Sequence, residues 1–309
     1  MTAETPLFQP PTVAVDTAFE RYEAVRARLP HAGFPDVSRR VRDLSDVAGE
    51  FDVFILDAFG VLNVGDSAIP GAVGRIADLR AAGKRLFVLT NAASYARETA
   101  LAKYRRFGFD FRPEDVVSSR DVTAAGIVAF PQVSLWGAAS GPGADFSDLS
   151  GPIEDLEADP SLFERAEGFL LLSSSGWTPE RHAALIAALK ARPRPLLVGN
   201  PDLVAPRESG LTLEPGWWAH DIADRTGIEP AFFGKPYANA FAAIRARCPE
   251  LDRLRVAMVG DTLHTDILGG RAAGFSGILI ADHGLFAGRD LADYVARSGI
   301  VPDIVCRTT

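Results

Sequence analysis

Cysteine is nearly absent from this chain: Cys248 and Cys306 are the only two in 309 residues, so at most one disulfide is available and no Cys-x-x-Cys metal spacing occurs. That usage fits a reducing, cytoplasmic setting. Histidine is also scarce, at five, and no His-Glu-x-x-His is present. The Gly-x-Gly-x-x-Gly of a dinucleotide fold, the Gly-x-Ser-x-Gly nucleophile elbow and a phosphate loop ending in Gly-Lys-Ser/Thr are missing as well. No apolar run approaches the ~20 residues that span a bilayer. The start, Met1-Thr2-Ala3-Glu4-Thr5-Pro6, has neither the basic nor the apolar segment of a secretion signal. A soluble protein with no membrane partner is expected. Positive charge falls short of negative charge, 32 Lys and Arg against 40 Asp and Glu for a net −8, which repels a phosphate backbone. No nucleic-acid partner is expected.

What is present reads as an alternating α/β chain, with 47% hydrophobic and 23% charged residues, long enough for a core and a second, smaller domain. Phe19, Tyr22, Val25 and Leu29 recur at helical spacing ahead of Pro30, giving an N-terminal helical extension over about residues 1–50. The arginines of that stretch, among them Arg21 and Arg28, read as a solvated helix surface. Val53-Phe54-Ile55-Leu56 is a buried strand ended by Asp57, and Arg85-Leu86-Phe87-Val88-Leu89 is another, ended by Thr90. Helices follow from about Tyr95 to Phe107 and from about Ser119 to Phe130. Between Gly137 and Gly151 the composition turns to Gly, Ala, Ser, Pro and Asp and predicts a long loop. A new series then begins, with strands at Phe169-Leu170-Leu171-Leu172 and Pro195-Leu196-Leu197-Val198 and a turn at Asn200-Pro201-Asp202. From Ala231 the first pattern resumes, with a strand before Lys235 and the strand Val256-Ala257-Met258-Val259 before Gly260-Asp261. Alternation of this kind implies parallel, right-handed crossovers.

In an open parallel sheet, side chains at the carboxyl ends of strands face the crevice where ligands bind. Asp57, Thr90, Lys235, and the pair Asp261 and Asp266 all reach that edge. Singly, each has a bland explanation: a turn or helix cap for the acids and Thr90, a solvated surface residue for Lys235. Their ordered recurrence is what carries chemistry. Hard oxygen ligands from Asp57 and Asp261 suit Mg²⁺, Lys235 and Thr90 hold an anionic oxygen cluster, and Asp57 can attack it.

This order resembles the haloacid dehalogenase superfamily, with its nucleophile Asp, Ser/Thr, Lys and acidic pair. Thr90-Asn91, Asn200-Pro201-Asp202, Gly234-Lys235-Pro236 and Val259-Gly260-Asp261-Thr262-Leu263-His264-Thr265-Asp266 are most similar to subclass IIA, the nitrophenylphosphatase-like and sugar-phosphatase-like group. The resemblance implies a doubly wound parallel-sheet core over residues 1–130 and 230–309, with an inserted α/β cap over 131–229. It implies that Asp57 attacks phosphorus to form an aspartyl-phosphate and that Thr90, Asn91 and Lys235 bind the transferring group. Mg²⁺ would be held by Asp57, Asp261, Asp266 and the backbone carbonyl of Phe59. The substrate would be a small phosphorylated metabolite. A homodimer is compatible with the sequence, which otherwise leaves the oligomeric state unread.

One position departs from that pattern. Where the family's phosphatases carry a second Asp two residues after the nucleophile, this chain has Phe59, which cannot donate a proton; the missing effect is typically worth ~10²–10⁴ in rate. The sequence therefore leaves three readings open: a Mg²⁺-dependent phosphatase, weak or restricted to good leaving groups; a relative of the 2-haloacid dehalogenases, which Asp57-Ala58-Phe59-Gly60 also resembles; and a catalytically quiet phospho-ligand binder. The acidic pair and the large insertion favour the first, since halide displacement needs no Mg²⁺. A replacement acid would have to come from the insertion, where Asp202, His220 and Asp221 are candidates and capping or surface exposure is the plain alternative for each. His264, between the late acids, either bonds near the metal or points away. His31, His182 and His283 carry no readable signal.

Overall fold

A computed structural model describes residues 12–141, 143–207 and 210–309. The first eleven residues of the expected extension lie outside the described residues. Seven parallel strands form the larger sheet, in the order Arg39–Val41, Ile304–Cys306, Ser276–Ile280, Val256–Gly260, Val53–Leu56, Arg85–Thr90, Val116–Ser118. Val53–Leu56 and Val256–Gly260 are wholly buried runs, as strands covered by helices on both faces must be. They lie side by side at the centre, so the residues following them, Asp57 and Asp261, emerge together at one edge.

The inserted unit has its own parallel sheet of five strands, in the order Ala231–Phe232, Leu196–Val198, Gly168–Leu171, Trp136–Ala139, Ile153–Asp155. Two sequence expectations change here. Residues 137–139 are not loop: Trp136–Ala139 is an interior strand of this sheet. Its small residues hid it, and they are small because a Cβ on Gly137 would come within 3.1 Å of Leu156 and 3.3 Å of Phe169. The short strand ahead of Lys235, expected to resume the first sheet, pairs with Leu196–Val198 in the second.

The N-terminal segment is not only helical. Thr12–Val13 adds to an antiparallel hairpin of the inserted unit, Val204–Arg207 and Gly210–Leu213, while Arg39–Val41 edges the large sheet. Between them helix α1 (Val15–Ala24) buries Ala18, Phe19 and Tyr22. Arg21 and Arg28, read as solvated, instead pair with Asp224 of the inserted unit at 2.8 and 2.6 Å. Both cysteines are free and buried. Among the described residues no helix is long and apolar enough to cross a membrane.

Candidate active site

Asp57 leaves its strand with its backbone N–H donating to the Val259 carbonyl at 2.8 Å, which locks it to the neighbouring strand. The next turn needs Gly60: its φ is +71°, and a Cβ there would lie 2.5 Å from that of Asp261. Asp261 is fixed in turn by the Leu285 N–H (2.8 Å) and the Thr262 hydroxyl (3.0 Å). Asp266 sits on a π-helical turn, Leu263–Ile267, of the kind that often marks functional sites. Its second oxygen accepts the Thr262 N–H at 3.1 Å.

Lys235 reaches this group from the other side of the insertion. Its ammonium lies 2.7 Å from Asp57 Oδ1 and 2.6 Å from Asp266 Oδ1, with 2% of the side chain exposed. Gly234 makes the approach possible: at φ +134°, a Cβ would lie 2.1 Å from Ser119 Oγ and 2.6 Å from Asn91 Oδ1. Asn91 is the hub behind the site. Its Oδ1 accepts the Lys235 N–H (2.8 Å) and the Ser119 hydroxyl (2.9 Å), and its Nδ2 donates to the Lys235 carbonyl (2.9 Å) and to Asp202 Oδ1 (2.8 Å). Thr90 is buried at its strand end and lines the same cavity, its hydroxyl oxygen accepting the Ala92 N–H at 3.3 Å.

Carboxylate oxygens of Asp57, Asp261 and Asp266 lie within 4.8 Å of one another. Three buried acids against one buried ammonium leave an uncompensated negative charge, and burying such charge is costly. The acidities register it. Burial pushes the Asp57 carboxyl up to about 7 against the pull of Lys235, with Asp266 adding to the rise. Burial, then Asp266 and Asp57, pushes Asp261 up to about 8. Burial opposes the Lys235 ammonium, yet Asp266, Asp57 and Asp202 outweigh it and hold its pKa above the ordinary value. The set is an all-oxygen, small-spacing donor group that suits a hard divalent cation.

The inserted unit roofs the cavity with Leu172, Ser173, Asn200, Asp202 and Glu214. Asp202 is thus brought to the site, and burial pushes its carboxyl up to about 7, opposed by Lys235 and the Asn91 amide. Phe59 lines the wall, with the Lys103 ammonium 5.5 Å from its ring centroid. His220 is not brought to the site. It is 1% exposed, sits on the packed face of the helix Pro215–Thr226 and stacks on Phe232 at 4.8 Å, so its proximity to a turn in sequence was misleading. Asp221 pairs with His182 at 2.7 Å and does not line the cavity either. His264 turns away from the acids: it is fully buried, 2.5 Å from Glu23 and stacked against Tyr22. Tyr22, Lys103 and Glu214 line the cavity without having been singled out from sequence. For Tyr22 the one available signal was a polar-tipped aromatic on an otherwise apolar helix face.

Residues 54–133 match a family model described as haloacid dehalogenase-like hydrolase, and residues 232–307 match a second, HAD-hydrolase-like, model. The chain is 30% identical over 282 residues to the glycerol-3-phosphate phosphatase of Gallus gallus, covering 83% of this chain and 89% of that protein. The crystal structure of a possible sugar phosphatase from Cytophaga hutchinsonii shares the fold, with a TM-score of 0.74 at 24% identity over 88% of this chain and 98% of that one. A glycerol phosphate phosphatase of Mycobacterium tuberculosis, solved in complex with magnesium, matches at 25% identity and a TM-score of 0.63, over 84% of this chain and 75% of that one.

Proposed function

The chain belongs to the haloacid dehalogenase-like hydrolases, and on that premise we propose that it is a Mg²⁺-dependent, cytoplasmic phosphatase of a small phosphorylated metabolite that works through an aspartyl-phosphate on Asp57. The observation that carries this reading is the buried charge set: Asp57, Asp261 and Asp266 share one small volume with Lys235 as their only described buried cation. Asp57, Asp261, Asp266 and the Phe59 carbonyl would hold the metal, which when bound neutralises the oxygens of the transferring phosphoryl group. The relative named for glycerol-3-phosphate and the neighbour solved with magnesium support both halves of the proposal. Two free, buried cysteines support the cytoplasmic setting.

In the first step an Asp57 oxygen bonds to phosphorus as the bond to the leaving oxygen breaks. Thr90 and the Asn91 region bind the phosphoryl oxygens, and Lys235 offsets the charge that builds on them and on Asp57. The leaving oxygen needs a proton that Phe59 cannot give. We assign that donation to Asp202, which lines the cavity, is held by Asn91 and has an acidity near neutral. Water then cleaves the acyl-phosphate, releasing phosphate and restoring Asp57, with Asp202 taking the water's proton back. The Lys103 ammonium beside Phe59 adds a cation to the cavity wall.

Phosphate release from glycerol phosphate and 4-nitrophenyl phosphate, measured with Mg²⁺, with chelator and in Asp57→Asn, tests this. Activity should vanish in the last two. Chelator-resistant release of halide from a 2-haloacid would install the dehalogenase reading instead, and tight phosphate-ester binding without turnover would leave a binding protein.

A further inference from the structure

The cavity wall includes a residue outside both matched family segments: Tyr22, on α1 of the N-terminal extension. Its ring lies flat on His264, with centroids 4.8 Å apart and planes 9° from parallel, and the neighbouring Glu23 ties that imidazole to the same helix. Its hydroxyl oxygen accepts the backbone N–H of Leu203, in the inserted unit, at 3.1 Å. Helix α1 is anchored on both sides. Toward the large sheet's unit, the Tyr294 hydroxyl donates to Asp16 at 2.6 Å and Phe19 packs edge-on against the Tyr294 ring. Toward the inserted unit, Arg21 and Arg28 hold Asp224. The phenol is 2% exposed and fixed at both ends.

A tyrosine hydroxyl has a proton to give besides the lone pairs it can offer. The Leu203 amide uses a lone pair, and among the described residues the Tyr22 hydroxyl donates no hydrogen bond. A buried donor kept without an acceptor costs stability, and here it lies in the wall of the cavity that opens on Asp57. The same cavity is lined by the polar Ser173, Asn200, Asp202 and Glu214 beside the apolar Leu172, Val204 and Pro206, with Asn200 Nδ2 donating to Glu214 at 3.1 Å and Asn200 Oδ1 accepting the Asp202 N–H at 3.0 Å. Those polar groups, with the Tyr22 hydroxyl, give the wall partners for hydroxyl groups on a ligand. Burial, reinforced by Asp202, holds the Tyr22 phenol well above its ordinary pKa, so it gives a hydrogen bond and keeps its proton.

We propose that Tyr22 is a specificity-determining residue: its O–H donates to a hydroxyl oxygen on the leaving group of a small phosphorylated polyol. The inference rests on the phosphatase reading above. It makes the N-terminal extension a third contributor to the site, beside the two sheet units.

The test compares kcat/KM on glycerol phosphate, propyl phosphate and 4-nitrophenyl phosphate for the wild type and Tyr22→Phe, in the full chain with Mg²⁺. One hydrogen bond to bound ligand corresponds to about ten-fold. Tyr22→Phe should therefore lose about ten-fold on glycerol phosphate and less than two-fold, roughly, on the other two. Phe19→Leu, which disturbs the packing of α1 without touching the cavity, should leave the ratios unchanged. An equal loss on all three esters, or the same selective loss in Phe19→Leu, would mean that Tyr22 only holds Leu203 in place, and the inference falls. The wild type needs no variant for a second check: it should prefer glycerol phosphate to propyl phosphate by about ten-fold, and equal rates overturn the proposal even if Tyr22→Phe fails to fold. Wild-type protein that cleaves none of the esters refutes the phosphatase reading itself, and this inference with it.

Discussion

Lys235→Met removes the ammonium that stands between two buried carboxylates, 2.7 Å from Asp57 and 2.6 Å from Asp266, while keeping most of the side chain's volume. Breaking a buried pair by deleting one partner costs about 3–5 kcal/mol, because the charge left behind is uncompensated. The cost has a signature in pH. Without Lys235 the carboxyls of Asp57 and Asp261, already raised by burial, favour their neutral form still more, so their folded pKa values rise further above the unfolded value of about 3.9. A raised carboxyl binds more protons folded than unfolded, so it takes stability away as pH rises through the window between those two values. At pH 5, holding one of the carboxyls protonated costs about 1.5 kcal/mol, from 1.36 kcal/mol for each of the 1.1 pH units above 3.9. We expect a deficit against wild type of about 3–5 kcal/mol at pH 8, falling to about 1–2 kcal/mol at pH 5, with metal absent. Urea unfolding at both pH values with chelator present measures it. Added Mg²⁺ should narrow the gap at pH 8, since a cation among the same carboxylates replaces part of the lost charge. A variant within 1 kcal/mol, roughly, of wild type at pH 8, or a deficit that does not shrink on acidification, would mean that Lys235 is not the counter-charge of this cluster.

Asp202→Asn should lower turnover of alkyl phosphates by ~10²–10⁴ and that of 4-nitrophenyl phosphate far less, because an aryl oxide departs without a proton; equal losses on both would reduce Asp202 to a structural partner of Asn91. Placing Phe59→Asp in that variant should restore alkyl-ester turnover by ~10-fold or more, a fraction of the usual general-acid contribution in a wall packed around a ring, and no gain in a folded double variant would put the leaving group out of reach of position 59. His220, pushed down to about 3 by burial and by Arg28 and Arg21, stays neutral in the fold, so its share of stability is complete above its unfolded pKa near 6.5 and is lost as pH falls toward 3. His220→Phe should accordingly flatten the acid limb of unfolding free energy against pH by about 1.4 kcal/mol per unit below pH 6; an unchanged slope would contradict a buried neutral imidazole.

The edge that holds Asp57, Thr90 and Asp261 was legible because a strand covered on both faces must be apolar at every position, and the first polar residue after such a run marks its end. Lys235 was legible for a different reason: order. It follows the insertion and precedes the strand Val256–Gly260, and it reaches the acids although the short strand ahead of it belongs to the second sheet. Strands escaped notice where packing asks for little side chain, as at Trp136–Ala139, where Gly137 and two alanines let Leu156 and Phe169 close over the sheet. Periodicity cannot distinguish such a run from a loop.

Asp202 and His220 looked alike in sequence, each polar and near an element's end, and the fold separates them completely. Asp202 follows a proline turn that carries it to Asn91. His220 falls on the same helix face as Ala219, Ile222 and Ala223, and is drawn inward with them. The same blindness hid Tyr22. Its spacing with Phe19 and Val25 correctly marked a buried face, but what the face meets is decided by partners 181 residues away at Leu203 and 241 residues from Glu23 at His264. A helical period says which side of a helix leaves water and nothing about which surface receives it. In this chain the receiving surface is the seam between the two sheet units, which puts an aromatic hydroxyl from the extension within the wall of a cavity whose nucleophile comes from a strand end. Substrate choice, unlike the attacking group, is therefore written partly in a segment that the nucleophile's neighbourhood does not reveal.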